Sequence, residues 1–374
     1  MAKIQELLAN QHDKIDYEEV LKKYPWIRES DRYCILSPDS DGLLCGLFMA
    51  KCRGWKIVGF YDDKVGVVNK DYKSKDIVFL DGEIFRENAK SLGHHMVCLT
   101  NKKRDLLEKN FKNCIQPNLM RNYDGKKFFR LKYPLASIHL LVSIIAYDDR
   151  NTRPIKLTGD AIAPLFFTDG VFNVLFLYPE NVLNWLSYLR INEDWNPLKD
   201  IFENRQYSVF DTIKYMDDFF RKRDQISVRV SFENPNGGRA KSIEERGDRL
   251  KISESDGSPY NILGINTENV YINTDAVARI KRFCTMVGEM TSWPFREEDW
   301  VCWDNLEFYK FSKGSFNADN KGLTKDNFEE FIRRKPLSWA QTSNLNIEYT
   351  LEEPSKFDFI PESEDSPEAN GMLV

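Results

Sequence analysis

The stretch Tyr33–Gly42 reads YCILSPDSDG and joins a short apolar run to two aspartates, Asp39 and Asp41. The run Tyr33–Leu36 predicts a buried strand, and the residues after it, GLLCGLFMAKCRG, have the apolar spacing of a helix that ends at Gly54. Asp and Ser are favoured at helix N-caps and Gly in turns, so the simplest interpretation is a polar turn that caps this helix. That interpretation does not explain why two like charges lie together at the end of a buried strand.

The first half of the chain alternates apolar runs with helical segments. Three more short runs follow the first strand, and charged residues or Gly bound them: WKIVGFY (55–61), KDIVFL (75–80) and HHMVCL (94–99). Strands that alternate with helices predict a parallel sheet built from βαβ units. The ligand site of such a sheet lies beyond the carboxyl ends of its strands. We therefore expect an α/β fold with a site at the strand end that carries the two aspartates.

The length of 374 residues is compatible with two domains. We expect an N-terminal parallel-sheet domain over residues 1–195, followed by a connection near Pro197. Residues 208–352 should form a second, α+β C-terminal domain, since 226–273 has the pattern of antiparallel strands around a Gly-rich turn. Residues 353–374 are acidic and contain Pro and Ser, which predicts a disordered tail.

Composition excludes several classes of protein. The net charge of -5 does not fit a protein that coats long nucleic acids, for which a strongly basic surface is expected. No uninterrupted apolar stretch reaches the roughly 18 residues of a membrane span, and the N-terminus is too charged for a signal peptide. The seven Cys contain no CxxC pair, which favours reduced thiols. We expect a cytoplasmic protein that binds no membrane; its oligomeric state does not follow from the sequence.

Residues that could bind a cation lie at the ends of three predicted strands. Asp39 and Asp41 follow the first, Asp81 follows KDIVFL, and His94 and His95 lie at the mouth of the third. Taken singly, the aspartate at 81 could belong to a turn, and the histidines to the core. Together, three carboxylates within a few ångströms would repel one another unless a cation held them. Carboxylates with imidazoles suit Mn²⁺ and are compatible with Zn²⁺ or Fe²⁺, and two such ions can cleave a phosphoester.

Several motifs resemble those of the DHH phosphoesterase superfamily. They are PDSDG, VFLDG and GHH in the first hundred residues, then QPNL with YPLASIHLLVSII, and finally LFFTDGVFNV with YPENVLNWLSYL. The resemblance covers residues 33 to about 190. Members of this family include single-strand-specific exonucleases, phosphodiesterases of short RNA and cyclic dinucleotides, and family II inorganic pyrophosphatases.

The resemblance implies a set of site residues. Its metal ligands would be Asp39, Asp41, Asp81, His94 and Asp169, and His95 would contact the scissile phosphate. Asp148 and Asp160 are alternatives to Asp169 as the last ligand. Two positions depart from the family pattern, because Ile35 stands where members carry His or Asp, and Gly93 replaces the Asp of Asp-His-His. These departures could leave a single-metal enzyme, a changed metal preference or an inactive scaffold.

A second group of polar residues could bind substrate. The segment NPNGGRAKS is the nearest match to the Gly-rich signature of the family's C-terminal domain. There the backbone amides of Gly237 and Gly238 could approach a phosphate, with Arg239 as counter-charge. A β-hairpin turn is the alternative for this segment. The segment GKKFFR, which ends at Arg130, could also contact phosphates or could be a solvated loop.

The sequence leads to two hypotheses about function. The first is a metal-dependent phosphoesterase that hydrolyses a nucleotide or a short single-stranded oligonucleotide. Its cofactor would be Mn²⁺, with two ions or one, and Mg²⁺ would be a weaker substitute. The alternative is a catalytically impaired protein of the same fold that binds a nucleotide or a protein partner without turnover.

Overall fold

The computed structural model describes residues 4–74, 76–96, 104–123, 129–203, 207–226, 247–265, 269–317, 336–341 and 346–351. These residues form a mixed α/β fold around a seven-stranded, mostly parallel sheet, with a three-stranded and a two-stranded antiparallel sheet beside it. The expected α/β class is confirmed at this level. The Gly-rich segment with Gly237, Gly238 and Arg239 lies outside the described residues, as does the predicted tail at 353–374.

Most of the strands are short. Their bounds are β1 Tyr33–Leu36, β2 Lys56–Tyr61, β3 Val65–Asn69, β4 Val78–Leu80, β5 Lys90–Leu92, β6 Cys114–Ile115, β7 Ile262–Leu263, β8 Tyr271–Ile272, β9 Leu306–Lys310, β10 Ser312–Asn317, β11 Ser338–Gln341 and β12 Asn346–Leu351.

Helices connect the strands and cover the sheet. Their bounds are α1 Ile4–Leu8, α2 Tyr17–Lys23, α3 Ser40–Arg53, α4 Arg104–Asn110, α5 Pro117–Met120, α6 Ser137–Asp149, α7 Ile162–Phe167, α8 Val171–Leu177, α9 Pro179–Tyr188, α10 Lys199–Phe202, α11 Val209–Asp224 and α12 Thr274–Thr291.

The order of strands in the large sheet is β6-β5-β4-β1-β2-β3-β9. Strands β6, β5, β4, β1 and β2 are parallel, whereas β3 is antiparallel to both of its neighbours. The chain moves outward in one direction from β1 to β2 and in the other direction from β4 to β6. The sheet therefore has a topological switch point between β1 and β4, which is where open α/β sheets bind ligands. Asp39 and Asp81 follow these two strands.

Strand β9 belongs to the sequence segment assigned to the second domain, yet it completes the large sheet. It pairs with β3 from Val65↔Lys310 to Asn69↔Leu306. On α3, the ring of Phe48 contacts Trp293, which follows α12, at a centroid distance of 4.8 Å. The division between residues 195 and 208 stays a prediction. The segment after this division supplies a strand to the large sheet and core side chains that pack against α3.

One stretch, Gly159–Leu177, is long and apolar enough by length and composition to cross a membrane, with a mean hydropathy of 1.4. It contains a 3-10 turn at Gly159–Ala161 followed by α7 and α8, which Asp169 and Gly170 separate with positive φ angles of 48° and 67°. The two helices have 6 and 7 residues, and a single span needs about 20. The break between them places Asp169 at the sheet edge.

Candidate metal centre

The turn after β1 fixes Asp39 at the start of α3. The Asp39 carboxylate accepts a hydrogen bond from the N–H of Gly42 at 3.2 Å and one from the Ser37 hydroxyl at 2.8 Å. The capping interpretation of YCILSPDSDG is therefore correct for Asp39. The same side chain also lines a cavity that reaches Asp169. One aspartate thus starts the helix and faces the candidate site.

Asp41 is fully buried and is held by a different helix. Its two carboxylate oxygens accept hydrogen bonds from the backbone N–H groups of Ser137 at 2.6 Å and Ile138 at 2.9 Å. These groups belong to the first turn of α6, where N–H groups without intrahelical partners favour an anion. Packing of α6 against α3 therefore fixes the second aspartate of the motif at the switch point.

Ser137 links three of the predicted ligands. Its hydroxyl donates to Asp81 Oδ1 at 2.8 Å, and His94 Nδ1 lies 2.8 Å from the same hydroxyl oxygen. Because the hydroxyl proton is directed to the carboxylate, Nδ1 of His94 must carry the proton of its own bond. Nε2 of the neutral ring then has a lone pair, and it lies 3.3 Å from Asp169 Oδ2. A lone pair facing a carboxylate oxygen is repulsive, and a cation between them removes the repulsion.

One carboxylate oxygen of Asp81, Oδ2, is buried without a hydrogen-bond partner among the described residues. A buried carboxylate oxygen left in this state is costly unless it is paired or coordinates a metal. Asp81, His94, His95 and Asp169 each direct one ligand atom into a group whose members lie within 4.8 Å of one another. The donor set of carboxylates and imidazoles fits a divalent cation such as Mn²⁺.

Backbone strain places two of these carboxylates. Asp81 has a φ of 58° directly after β4, and Asp169 has a φ of 48° between α7 and α8. Residues other than Gly rarely adopt this left-handed conformation, although Asp and Asn tolerate it best. The turn at Asp169 is fixed to α3 by a hydrogen bond of 3.2 Å between the hydroxyls of Ser40 and Thr168. Strain of this kind often occurs at functional sites.

The charges of the cluster shift several pKa values. Burial, followed by the charge of Asp81, raises the pKa of Asp39 and raises that of Asp41 well above its usual range. Burial also raises the pKa of Asp169. The pKa of His94 is lowered to about 4, first by burial and then by the charge of His95. His94 is thus neutral near pH 7, as a metal ligand must be.

His95 differs from its neighbour. Burial alone would lower the pKa of His95, but the carboxylates of Glu83, Asp81 and Asp169 outweigh it and raise the value well above 6.5. Its Nδ1 lies 3.8 Å from Glu83 Oε2 and 3.9 Å from Asp81 Oδ1. The side chain is 40% exposed, so His95 can reach a molecule in the adjoining cavity. This geometry suits an imidazolium that contacts an anion.

The structure separates the alternative last ligands from the cluster. Asp148 forms ion pairs of 2.9 Å with both Arg28 and Arg53, and Asp160 is exposed. Of the three candidates, Asp169 is the one brought to His94. Ile35 is buried in an apolar group with Phe79, so a different side chain occupies the position at which the resemblance implies a ligand.

Two residues that complete the site were not predicted from the sequence. Ser137 begins α6, and Glu83 is buried two residues after Asp81. A hydroxyl at a helix start and an acid beside a Gly are common in turns, so neither carries a sequence signal of its own.

Two cavities meet at the cluster. The larger has a volume of about 800 Å³ and is lined by both histidines and Asp169 together with Arg130, Lys132, Tyr133 and Tyr178. The smaller has a volume of about 370 Å³ and is lined by Asp39 and Asp169 together with Phe166, Phe167, Phe172, Met216, Phe220 and Arg249. Both volumes lie within the usual range for ligand pockets, about 300–1,000 Å³.

No family model, curated protein or solved structure matches this chain. The geometry and chemistry of the site, with the short motifs, are therefore what supports a function.

Stabilisation by Mn²⁺ should increase with pH. The raised pKa values of Asp41 and Asp169 mean that the folded protein without metal binds more protons than the unfolded chain, so its stability falls as pH rises from the usual carboxyl range. Metal binding displaces those protons. We expect a larger Mn²⁺-induced increase in melting temperature at about pH 8 than at about pH 5, measured by differential scanning fluorimetry. Equal shifts at both pH values would contradict binding by these carboxylates.

Proposed function

We propose that this protein is a metal-dependent phosphodiesterase that hydrolyses a nucleotide or a short single-stranded oligonucleotide. The observation that carries the proposal is the group of ligand atoms from Asp81, His94, His95 and Asp169, which lie within 4.8 Å of one another. In this group His94 Nε2 faces Asp169 Oδ2 at 3.3 Å, and Asp81 has a buried oxygen without a partner among the described residues. The resemblance of the motifs to DHH phosphoesterases supports the same chemistry. Bound by this group of ligand atoms, a divalent cation supplies the water activation and charge neutralisation that phosphoester hydrolysis requires.

The residues around the cation would orient the substrate. His95 lies at the wall of the larger cavity, where its imidazolium can hold a phosphate oxygen and donate a proton to the leaving oxygen. Arg130 and Lys132 line the same cavity and add positive charge. Burial lowers the pKa of Lys132, which indicates a partly desolvated cation beside the site. Such cations favour a phosphate ligand.

The two cavities favour a diester over inorganic pyrophosphate. A phosphate at the cluster would adjoin both cavities, since Asp169 lines both. The smaller cavity has phenylalanine walls, and the larger contains tyrosines; aromatic side chains of this kind stack on nucleobases. A substrate with a nucleoside on both sides of the scissile phosphate uses both cavities.

The metal requirement is expected to be met by Mn²⁺, with Mg²⁺ as a weaker substitute. Within the group of four residues, Asp81, His94 and Asp169 would hold one ion, and His95 would contact the substrate. A second ion would need Asp39 and Asp41 as well, and Ile35 offers no ligand at the position where the resemblance implies one. We therefore favour a single-metal centre while retaining two ions as the alternative.

The second candidate function is nucleotide or protein binding without turnover. The buried, apolar surroundings of Ile35 favour it, because they leave the site short of a ligand. A cytoplasmic location is expected under both hypotheses.

A panel of substrates tests the proposed function. The full chain with Mn²⁺ is incubated with linear dinucleotides, cyclic dinucleotides, single strands, duplexes and pyrophosphate. We expect turnover of dinucleotides and short single strands in preference to duplexes. Phosphate release from pyrophosphate alone would contradict the diester proposal, and bound metal without turnover of any member would favour the binding protein.

Truncation of the aromatic wall should weaken substrate binding. Phe172 and Phe220 line the smaller cavity, and loss of one stacking ring costs about 1–3 kcal/mol per base. We expect Phe220→Ala to raise KM for a dinucleotide by about 5- to 100-fold with little change in Mn²⁺ binding. Phe210→Ala is the control, since that side chain is 74% exposed on the same helix. If both variants had the wild-type KM, the smaller cavity would not bind substrate.

A further inference from the structure

The carboxylate of Glu83 occupies the space beside Gly93. A Cβ atom on Gly93 would lie 2.6 Å from Glu83 Cδ and 2.8 Å from Glu83 Oε2, which is closer than side chains approach. The backbone of Gly93 is not in the left-handed region, so its conformation does not itself require glycine. Position 93 can therefore carry a side chain only if the side chain of Glu83 moves away.

Glu83 is held firmly in the connection between β4 and β5. The N–H of Gly82 donates to the carbonyl of Leu92 at 3.1 Å, and the N–H of Ile84 donates to the Ser91 hydroxyl at 3.3 Å. Glu83 itself is 4% exposed. These bonds anchor the backbone on both sides of the glutamate against β5, the strand that precedes the histidines.

The two carboxylate oxygens of Glu83 face different residues of the segment that follows β5, His95 and Met96. Oε1 accepts the N–H of Met96 at 2.9 Å, and Oε2 lies 3.8 Å from His95 Nδ1. A purely structural glutamate would need only the first contact. The second places a negative charge behind the ring whose exposed side faces the larger cavity.

We infer that Glu83 is the positioning residue of His95. It holds Nδ1 of His95 toward the protein interior, which leaves Nε2 as the nitrogen available to a phosphate in the cavity. Its carboxylate also takes the place of a carboxylate on residue 93, because the two side chains compete for one volume. Gly93 is thus compensated from the neighbouring loop and does not mark a defective site.

Moving the carboxylate from position 83 to position 93 tests this inference. The variants are Glu83→Gln, Glu83→Ala and the double variant Glu83→Ala with Gly93→Asp. Glutamine keeps an oxygen for the Met96 N–H but has no second acceptor for His95. Glu87→Gln is the matched control in the same connection. One readout is the ¹⁵N spectrum of the His95 ring at fixed pH, which is tractable since the chain has four His; the other is kcat for a dinucleotide with Mn²⁺.

We expect Glu83→Gln and Glu83→Ala to shift the His95 ring signals and to lower kcat by about 10- to 100-fold, the usual effect of removing a residue that orients an active group. The double variant should restore both readouts, and the Mn²⁺-induced rise in melting temperature should persist in every variant. Unshifted His95 signals in Glu83→Gln, or a double variant no better than Glu83→Ala, would overturn the inference. The kcat readout rests on the proposed function, whereas the ring signals decide the role of Glu83 even if the wild type turns over no substrate.

Discussion

Asp81→Asn will lose metal binding and nearly all phosphodiesterase activity while the protein stays folded. Asparagine tolerates the left-handed backbone at this position and can still accept the Ser137 hydrogen bond, so the change removes mainly charge. Loss of a metal ligand should lower kcat by about 10³-fold or more, which corresponds to roughly 4 kcal/mol of transition-state stabilisation. Turnover of a dinucleotide and a Mn²⁺ titration followed by thermal unfolding measure both effects.

The melting temperature of Asp81→Asn without metal shows whether Asp81 is a metal ligand or an aspartate that only stabilises the fold. Removing one of several repelling carboxylates should leave the melting temperature of the metal-free protein unchanged or raise it. Asp160→Asn is the control, because Asp160 is an exposed aspartate in the turn before α7 and should behave as wild type. An active, metal-responsive Asp81→Asn variant would remove Asp81 from the site.

The two adjacent histidines should fail in different ways when each is replaced by glutamine. His94→Gln removes the Nε2 lone pair that faces Asp169, so Mn²⁺ stabilisation and activity should be lost together. His95→Gln should retain Mn²⁺ stabilisation and lose about 10²–10⁴-fold in kcat, the usual contribution of a positioned acid–base group. Binding of an ion at 100 times its Kd stabilises a fold by about 2.7 kcal/mol, which thermal unfolding detects readily.

His12→Gln provides the matched control for this pair, since His12 is exposed near the N-terminus. We expect Mn²⁺ stabilisation to be lost in His94→Gln and kept in His95→Gln. Identical behaviour of the two variants, whether both bind Mn²⁺ or neither does, would contradict the separate roles assigned to them.

The edge of the sheet that carries the site could be predicted because β1 and β4 are continuous apolar runs. Asp39 and Asp81 follow directly after them, and a parallel sheet brings such strand ends together. The predicted start of the strand at the histidines was wrong, however. The run HHMVCL predicts a strand that begins at His94, whereas β5 is Lys90–Leu92 and residues 94–96 are not in a strand; residues 97–99 lie outside the described residues. The three residues of β5, KSL, have too little apolar pattern to be recognised.

The residues that hold the site residues in place could not be predicted from local sequence patterns. Ser137 and Glu83 act through contacts with residues distant in the chain or across a turn, and periodicity does not encode such contacts. Strand β9 is similar, because its pairing with β3 spans more than half of the chain. The sequence pattern therefore led to a division between two domains that does not anticipate a shared sheet.

The most direct test of the central claim is anomalous diffraction at the manganese absorption edge from crystals grown with Mn²⁺. We expect a peak within coordination distance of His94 Nε2, Asp81 Oδ2 and Asp169 Oδ2, with typical ligand distances of about 2.0–2.3 Å. If crystals grown with excess Mn²⁺ kept these three side chains in place and showed no anomalous peak between them, the proposed metal centre would be wrong.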